Sequence, residues 1–228
     1  MNDLVFRKAR PEEFDDIAAI IYGHPACEEI AIAGDVDRAR RWGTQQLRLR
    51  GLDGVHVGEM DGEIVVVVDI NPAASPRGGV AILHRWKFEL VRAAAWARVF
   101  GVRALPRFIA LRRAEERVYP PLPEDAYHIS EMTTTEKYRY SGIGAHARVY
   151  CEKEARRLGY KKMSLHTSVV NPAKDMVMRH GYALVATGTD AGYERLAGIA
   201  GWHLLVKELK DRATPPQTSI TGDDATPG

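Results

Sequence analysis

The residues best suited to chemistry cluster between Tyr127 and Arg157. One carboxylate, Glu131, stands in a run otherwise made mostly of apolar, aromatic and hydroxyl-bearing residues, and beyond it comes Arg139-Tyr140-Ser141-Gly142-Ile143-Gly144-Ala145. Two glycines let the chain turn sharply and bring main-chain N–H groups close to a ligand. If a helix opens there, its first amides have no internal acceptor and its dipole places about half a positive charge at the mouth, which suits a phosphate or diphosphate. Each such contact is modest, about 0.3 to 1 kcal/mol when exposed and ~2 kcal/mol when partly buried, so several must act together. A Gly-x-Gly alone describes a tight turn equally well, and its flanks must decide.

The flanks predict a strand that empties through the glycines into a helix. Residues Tyr127 to Thr135 contain no Gly or Pro and are rich in strand formers. Beyond the glycines, Ile143, Ala147, Cys151, Ala155 and Leu158 recur at helical spacing, and Arg148, Glu152, Lys153 and Arg156 are expected on the other side of the helix.

Three phosphate-binding loops compete for this pattern. A Walker loop needs a Gly-Lys pair, and the chain has none. A dinucleotide fingerprint is loosely met by Gly142-x-Gly144-x-x-Ala147, but it needs an acidic residue about 20 positions on to hold a ribose. Between Glu154 and Asp175 there is no Asp or Glu. Arg139-x-x-Gly142-x-Gly144 resembles instead the Arg/Gln-x-x-Gly-x-Gly/Ala signature of the GNAT superfamily of acyl-CoA-dependent N-acyltransferases. The resemblance continues upstream through His128-Ile-Ser-Glu131 and downstream through a strand at Lys162 to Thr167, Asn171 before a short helix, and Gly181-Tyr182. Leu4 to Ala9 and the segment after Pro11 resemble the family's first strand and helix, so the likeness spans about residues 2–209 and is weakest over 72–122. Thr134 stands where the family often has Val, and the stretch from Asn171 to Gly181 is one residue short.

The resemblance implies a mixed α/β fold: a central, mostly antiparallel sheet splayed at its fourth and fifth strands and flanked by helices. It implies acetyl-CoA as cosubstrate, with the pantetheine arm and acetyl carbonyl along Met132, Thr133 and Thr134. The diphosphate would lie on the amides of Tyr140, Ser141, Gly142, Ile143, Gly144 and Ala145, with Arg139 or Lys137 near phosphate and Asn171 near the cofactor arm. A helix cap explains Asn171 equally well. Glu131 is the candidate catalytic base, acting directly or through water, and a structural carboxylate paired with an arginine is its plain alternative. His128 is a second candidate, which strict alternation puts on the opposite face from Glu131 unless a bulge intervenes. Many relatives carry an acid Tyr four residues before the Gly-aromatic pair. This chain has Val177 there, between Met176 and Met178, so the thiolate would leave unassisted, or take a proton from water or from a hydroxyl such as that of Ser168.

Composition narrows the classes further. At 228 residues the chain is most simply one domain, with 32 basic residues against 30 acidic ones, a balance unlike that of a dedicated nucleic-acid binder. Two cysteines, Cys27 and Cys151, make no disulfide framework, and eight scattered histidines without a His-x-x-x-His pair give no metal motif. No apolar run suits a membrane span or a signal peptide, so a cytoplasmic protein without metal is expected.

The remaining elements frame the glycine loop. A strand at 2–8 and a helix from Pro11 to Tyr22 come first, then a helical region over Ala26 to Leu49 interrupted near Gly34. Asp61-Gly62 is a strong hairpin signal, and Ile64 to Val68 should be a strand covered on both faces. Residues 72–122 look like a helical insertion between the third and fourth strands, divided near Gly101 or Pro106, with Leu83, Trp86, Leu90 and Phe100 facing inward. Between Arg77 and Arg117 there are ten Lys or Arg against three Glu. This segment reads as a solvated helical pair, a lid selecting an acidic acceptor, or a dimer or lipid contact. Asn171 should cap a helix begun by Pro172, and a Gly-rich excursion over Thr189 to Gly201 should join the last two strands. The domain is expected over 1–210, with a disordered tail over 211–228. The expected activity is acetyl transfer to a primary amine of a small molecule in a ternary complex, by a monomer or homodimer. The alternatives are a non-catalytic CoA-binding sensor or scaffold, and acetylation of a protein N-terminus or lysine.

Overall fold

The computed structural model describes residues 3–23, 28–73 and 79–209. The expected tail over 211–228, Cys27, and the side chains of Leu83 and Trp86 lie outside the described residues.

Seven strands form one sheet: β1 (Val5–Lys8), β2 (Val55–Met60), β3 (Glu63–Pro72), β4 (Ala126–Thr134), β5 (Lys162–Ser168), β6 (Ala183–Thr189) and β7 (Gly201–Glu208), in the order β1-β2-β3-β4-β5-β7-β6. Only β4 and β5 run parallel. The β2–β3 hairpin turns on Asp61 and Gly62, both at positive φ (55° and 78°), as a two-residue turn matched to strand twist requires.

The helices are α1 (Phe14–Tyr22), α2 (Glu28–Ala33), α3 (Val36–Arg50), α4 (Gly79–Phe100), α5 (Leu105–Val118), α6 (Ile143–Arg157), α7 (Lys174–Arg179) and α8 (Ala191–Ala197). On one face of the sheet, Ile143, Ala147, Cys151 and Ala155 of α6 pack on Val66, Val68, Ile70, Ile129, Met163 and Leu165. On the other, α1 and α3 bury Ile17, Ile21 and Leu47 against Val55, Val57 and Val67. A further cluster joins α3, α4, α5 and α8 through Trp42, Trp96, Phe108, Leu111 and Tyr193. Trp96 is fully enclosed there, and its indole N–H donates to the Ala104 carbonyl at 3.1 Å, so the burial leaves no polar atom stranded.

Several expectations are corrected. Arg148 and Glu152 are not on a solvated face: they are 5 % and 9 % exposed, because α7 and β7 cover that side of α6. Leu90 is 62 % exposed, and Trp96 takes the inward role on α4. Pro172 lies in a turn, and the helix begins only at Lys174. The excursion between β6 and β7 contains α8, whose Asp190 cap accepts from the Tyr193 N–H at 2.7 Å and ion-pairs with Arg117 of α5. At Gly188 a Cβ would stand 2.3 Å from the Val118 carbonyl oxygen, so only glycine lets β6 approach the end of α5.

Candidate active site where two strands part

The β4–β5 ladder covers only Ala126↔Lys162 to Ile129↔Leu165. Beyond it β4 stays paired with β3 up to Val66↔Thr134, while β5 follows β7 to Ser168↔Trp202. The two strands part after Ile129, and the β4 edge from 130 to 134 carries no ladder to β5. Unlike a paired edge, such a stretch offers its main-chain donors and acceptors to a ligand.

At the far end of that edge stands the mouth of α6. Gly142 caps the helix at φ 88°, a conformation that costs other residues about 1 to 2 kcal/mol, and a Cβ on it would meet nothing within 4 Å. Tyr140, also at positive φ (62°), holds its ring fully in solvent. The Ser141 amide bonds back to the Tyr138 carbonyl at 3.4 Å, and the Ala145 amide to the Gly142 carbonyl at 2.9 Å. The amides of Gly142, Ile143 and Gly144 are the first of the helix and need an acceptor from outside it. Lys137, one of two cations expected near phosphate, makes an exposed pair with Glu63 at 2.8 Å. Arg148 approaches from behind: its Nη1 lies 4.0 Å from where a Gly144 Cβ would stand, and Thr134 Oγ1 lies 3.9 Å from the same point. Asn171 accepts from the Ala173 N–H and donates to Thr167 Oγ1, both at 2.9 Å.

Halfway along the free edge, one residue changes which face the side chains take. Ile129 stands opposite Ile70 and Glu131 opposite Asp69, so Ser130 is an extra residue outside the ladder. The bulge puts Glu131 on the face of His128, as β4 alternation alone would not. There Glu131 accepts from Thr133 Oγ1 at 2.6 Å and from the Met132 N–H at 3.2 Å. His128 Nδ1 lies 3.0 Å from Ser164 Oγ, and its ring meets His166 edge-on at 5.2 Å. His166 donates through Nε2 to the Pro120 carbonyl at 3.0 Å. Burial, and to a lesser degree the neighbouring His166, push His128 down to about 3, so it is a neutral imidazole and a weak base.

The same face carries a second layer. Buried Asp69 is ion-paired with Arg50 of α3 and accepts from Asn71 at 2.6 Å. Arg50 lines a cavity of about 290 Å³ between α3, α4 and α5, walled by Tyr22, Trp42, Phe88, Trp96 and Phe108 together with Gln46, Arg92 and Arg112. An adjoining open cavity of about 380 Å³ shares Arg92, Arg112 and Glu115 and is also lined by Tyr119, whose ring meets His166 at 5.3 Å. Its arginines are matched by acids: Arg112 with Glu89 and Glu115, and Arg92 with Glu89 at 3.5 Å. Gln46 Nε2 is buried without a partner among the described residues, while its Oε1 accepts from Arg92 at 2.8 Å.

No tyrosine occupies α7. Val177 is buried in the apolar core, and the Tyr182 hydroxyl is 3.9 Å from Met163 Sδ, with burial driving its acidity far down. Tyr150, stacked on Phe6 and bonded to His56 Nδ1 at 2.5 Å, is pushed up to about 12, chiefly by burial. Neither phenol is placed to give a proton readily. Sequence reasoning missed Arg148 and the cavity acids and arginines, since only packing between distant elements assembles them.

No family model matches this sequence, and no curated protein does. Solved structures match it in shape. An N-acetyltransferase from Staphylococcus aureus Mu50 is 18 % identical, covers 89 % of this chain and 99 % of its own, and has a TM-score of 0.55. A mosquito arylalkylamine N-acetyltransferase-like protein is 20 % identical over 91 % of this chain and 100 % of its own, at 0.54. An agmatine N-acetyltransferase is 16 % identical over the same shares, at 0.54. The fold is therefore that of the GNAT-type acetyltransferases, with a seven-stranded, mostly antiparallel sheet and the parallel β4–β5 pair at its centre. Among the described residues no helix is long and apolar enough to cross a membrane, and no cluster of His, Cys, Asp or Glu could hold a metal ion.

Proposed function

We propose that this protein moves an acetyl group from acetyl-CoA to the primary amine of a small molecule, by direct attack in a ternary complex. The observation that carries the reading is the parting of β4 from β5 after Ile129, with bare helix-head amides at Gly142 to Gly144 beyond the free edge. An extended thioester arm fits along Met132 to Thr134 with its diphosphate on those amides. Gly144 fits too: nothing of the protein stands within 3.9 Å of its missing Cβ.

The Met132 N–H is the donor for the thioester carbonyl, and Glu131 covers it until substrate arrives. Such a fixed donor contributes roughly 2.7 to 4 kcal/mol to an acyl-transfer transition state elsewhere. An alkylamine with pKa ~10.4 is mostly protonated at neutral pH, so a base must take its proton before or during attack. Glu131 fills that role, directly or through water, since His128 binds protons too weakly. The amine nitrogen forms the new C–N bond, the C–S bond breaks, and the thiolate takes a proton from water.

A small acceptor is favoured because the cavities beside α4 and α5, about 290 and 380 Å³, have the size of a small molecule. The two neighbours named for agmatine and arylalkylamine point to small amines as well. Val177, where a hydroxyl would help the leaving group, favours a second reading as a CoA-binding sensor without turnover. Thiol release from acetyl-CoA across a panel of amines decides between them. Turnover on any small amine supports the enzyme, and tight CoA binding with no turnover supports the sensor.

A further inference from the structure

Arg148 takes no part in the chemistry above, and among the described residues it makes no ion pair, though the Glu152 carboxylate acts on it from a distance. It sits in the second turn of α6, 5 % exposed, and burial draws its pKa below the usual guanidinium value while leaving it charged. Its Nη2 donates to Met176 Sδ of α7 at 2.7 Å, and a thioether is a weak acceptor. Among the described residues no carboxylate lies within ion-pairing distance of it. Glu152, one turn further along the same face, is held by Lys207 at 2.5 Å and by Arg156 at 3.7 Å. The other ionisable groups around it, Tyr182 and Cys151, are neutral because burial raises both.

A buried charge with no carboxylate in contact is costly to keep, and a bound anion would relieve that cost. Helical side chains lean toward the N-terminus, and Arg148 does so, bringing Nη1 against Gly144 at the helix head. The guanidinium and the free amides of Gly142 to Gly144 thus converge on one place from two directions. Lys137 lies outside this point, in an exposed pair with Glu63.

We propose that Arg148 is the internal counter-ion of the anion bound at the head of α6, exchanging the Met176 sulfur for oxygens of the coenzyme A diphosphate. This rests on the acetyl-CoA reading above. Arginine suits the task because its planar fork meets two phosphate oxygens at once. The apo protein carries the desolvated charge as a cost, which the ligand relieves.

The test is calorimetric titration of the full chain with CoA and with 3′-dephospho-CoA, alongside thermal melts of the apo forms. Arg148→Met should weaken binding of both ligands about ten- to a hundredfold, the range of a charge-assisted contact, while the apo variant melts at or above the wild-type temperature. Arg148→Lys should fall between, and it keeps the proposal testable if Arg148→Met fails to fold. With S-acetylpantetheine, which lacks the diphosphate, kcat/KM should fall far less than with acetyl-CoA. Affinity within twofold of wild type overturns the proposal, and so does a loss confined to CoA, which would assign Arg148 to the 3′-phosphate. An equal loss of kcat on both donors overturns it in favour of thiolate stabilisation. Wild-type protein that binds no CoA overturns the acetyl-CoA reading itself, an outcome distinct from failure of the variant alone.

Discussion

Glu131 stands directly opposite Asp69 in the β3–β4 ladder, although its neighbour Ile129 stands opposite Ile70. Ser130 is the residue left over, and its bulge is what turns Glu131 toward His128, Asp69 and the cavities behind Arg50. Two carboxylates in opposed positions have Cβ atoms about 5 Å apart. Asp69 is tied to Arg50 and Asn71, while Glu131 keeps a partly exposed side chain held by Thr133 and the Met132 amide.

Glu131→Gln should therefore lower kcat about 10²- to 10⁴-fold, the usual range for a positioned base, and leave CoA affinity within twofold. Steady-state kinetics with a reactive amine, paired with CoA titration, checks both halves.

Deleting Ser130 closes the bulge and leaves Glu131 opposite Asp69 on the His128 face, because it then follows Ile129 in strict alternation. Activity should therefore fall much less than in Glu131→Gln, and Ser130→Ala should behave as wild type, because position 130 contributes a backbone step and an exposed side chain. Comparing the two variants separates the bulge from the hydroxyl.

Acid should destabilise the fold well above the carboxylate range. His128, His56 and His166 all have their pKa values lowered, chiefly by burial, His128 to about 3. The unfolded chain binds those protons near 6.5, so the stabilisation is complete above that pH and is lost as pH falls from 6.5 toward 3. His128 adds a slope of up to about 1.4 kcal/mol per pH unit in that window, and His56 and His166 add to it in the same direction. Urea midpoints at pH 7.5 and 5 should differ accordingly, and His128→Gln should flatten the difference.

Phe88 lines the aromatic cavity yet is partly exposed, so its loss should spare the fold. Phe88→Ala should raise the acceptor KM about five- to thirtyfold with the acetyl-CoA KM unchanged, on the scale of ~1 to 2 kcal/mol for part of an aromatic contact. Trp96→Ala, by contrast, removes a fully buried ring and should cost about 3 to 5 kcal/mol of stability.

The sequence made some of this legible and hid the rest for physical reasons. Asp61-Gly62, the onset of α6 at Gly142 and the break at Gly101 are fixed by backbone conformations that glycine favours, and such signals are local. The Ser130 bulge leaves no local trace, because it is defined by how β3 pairs and not by the residues of β4. Arg148, Glu152 and Arg156 repeat at helical spacing like a solvated stripe, and only α7 and β7, distant in sequence, bury the first two. Helix α8 was masked by Gly192 and Gly198, although Asp190 ahead of Glu194 is a fair start signal. Of the proposed site residues, the glycine loop and the Met132–Thr134 edge follow a local motif. The cavity of Gln46, Arg92 and Arg112 could not.

The most direct measurement is CoA affinity by calorimetry for wild type and Gly144→Val. A Cβ at Gly144 meets only Thr134 Oγ1 and Arg148 Nη1, at 3.9 and 4.0 Å, so the variant should fold with a melting temperature near wild type while its side chain fills the space meant for the diphosphate. Binding by wild type and a loss of about a hundredfold or more in the variant is the predicted result, on the scale of displacing several helix-head contacts. Equal affinity in the two proteins, or none in the wild type, would contradict it.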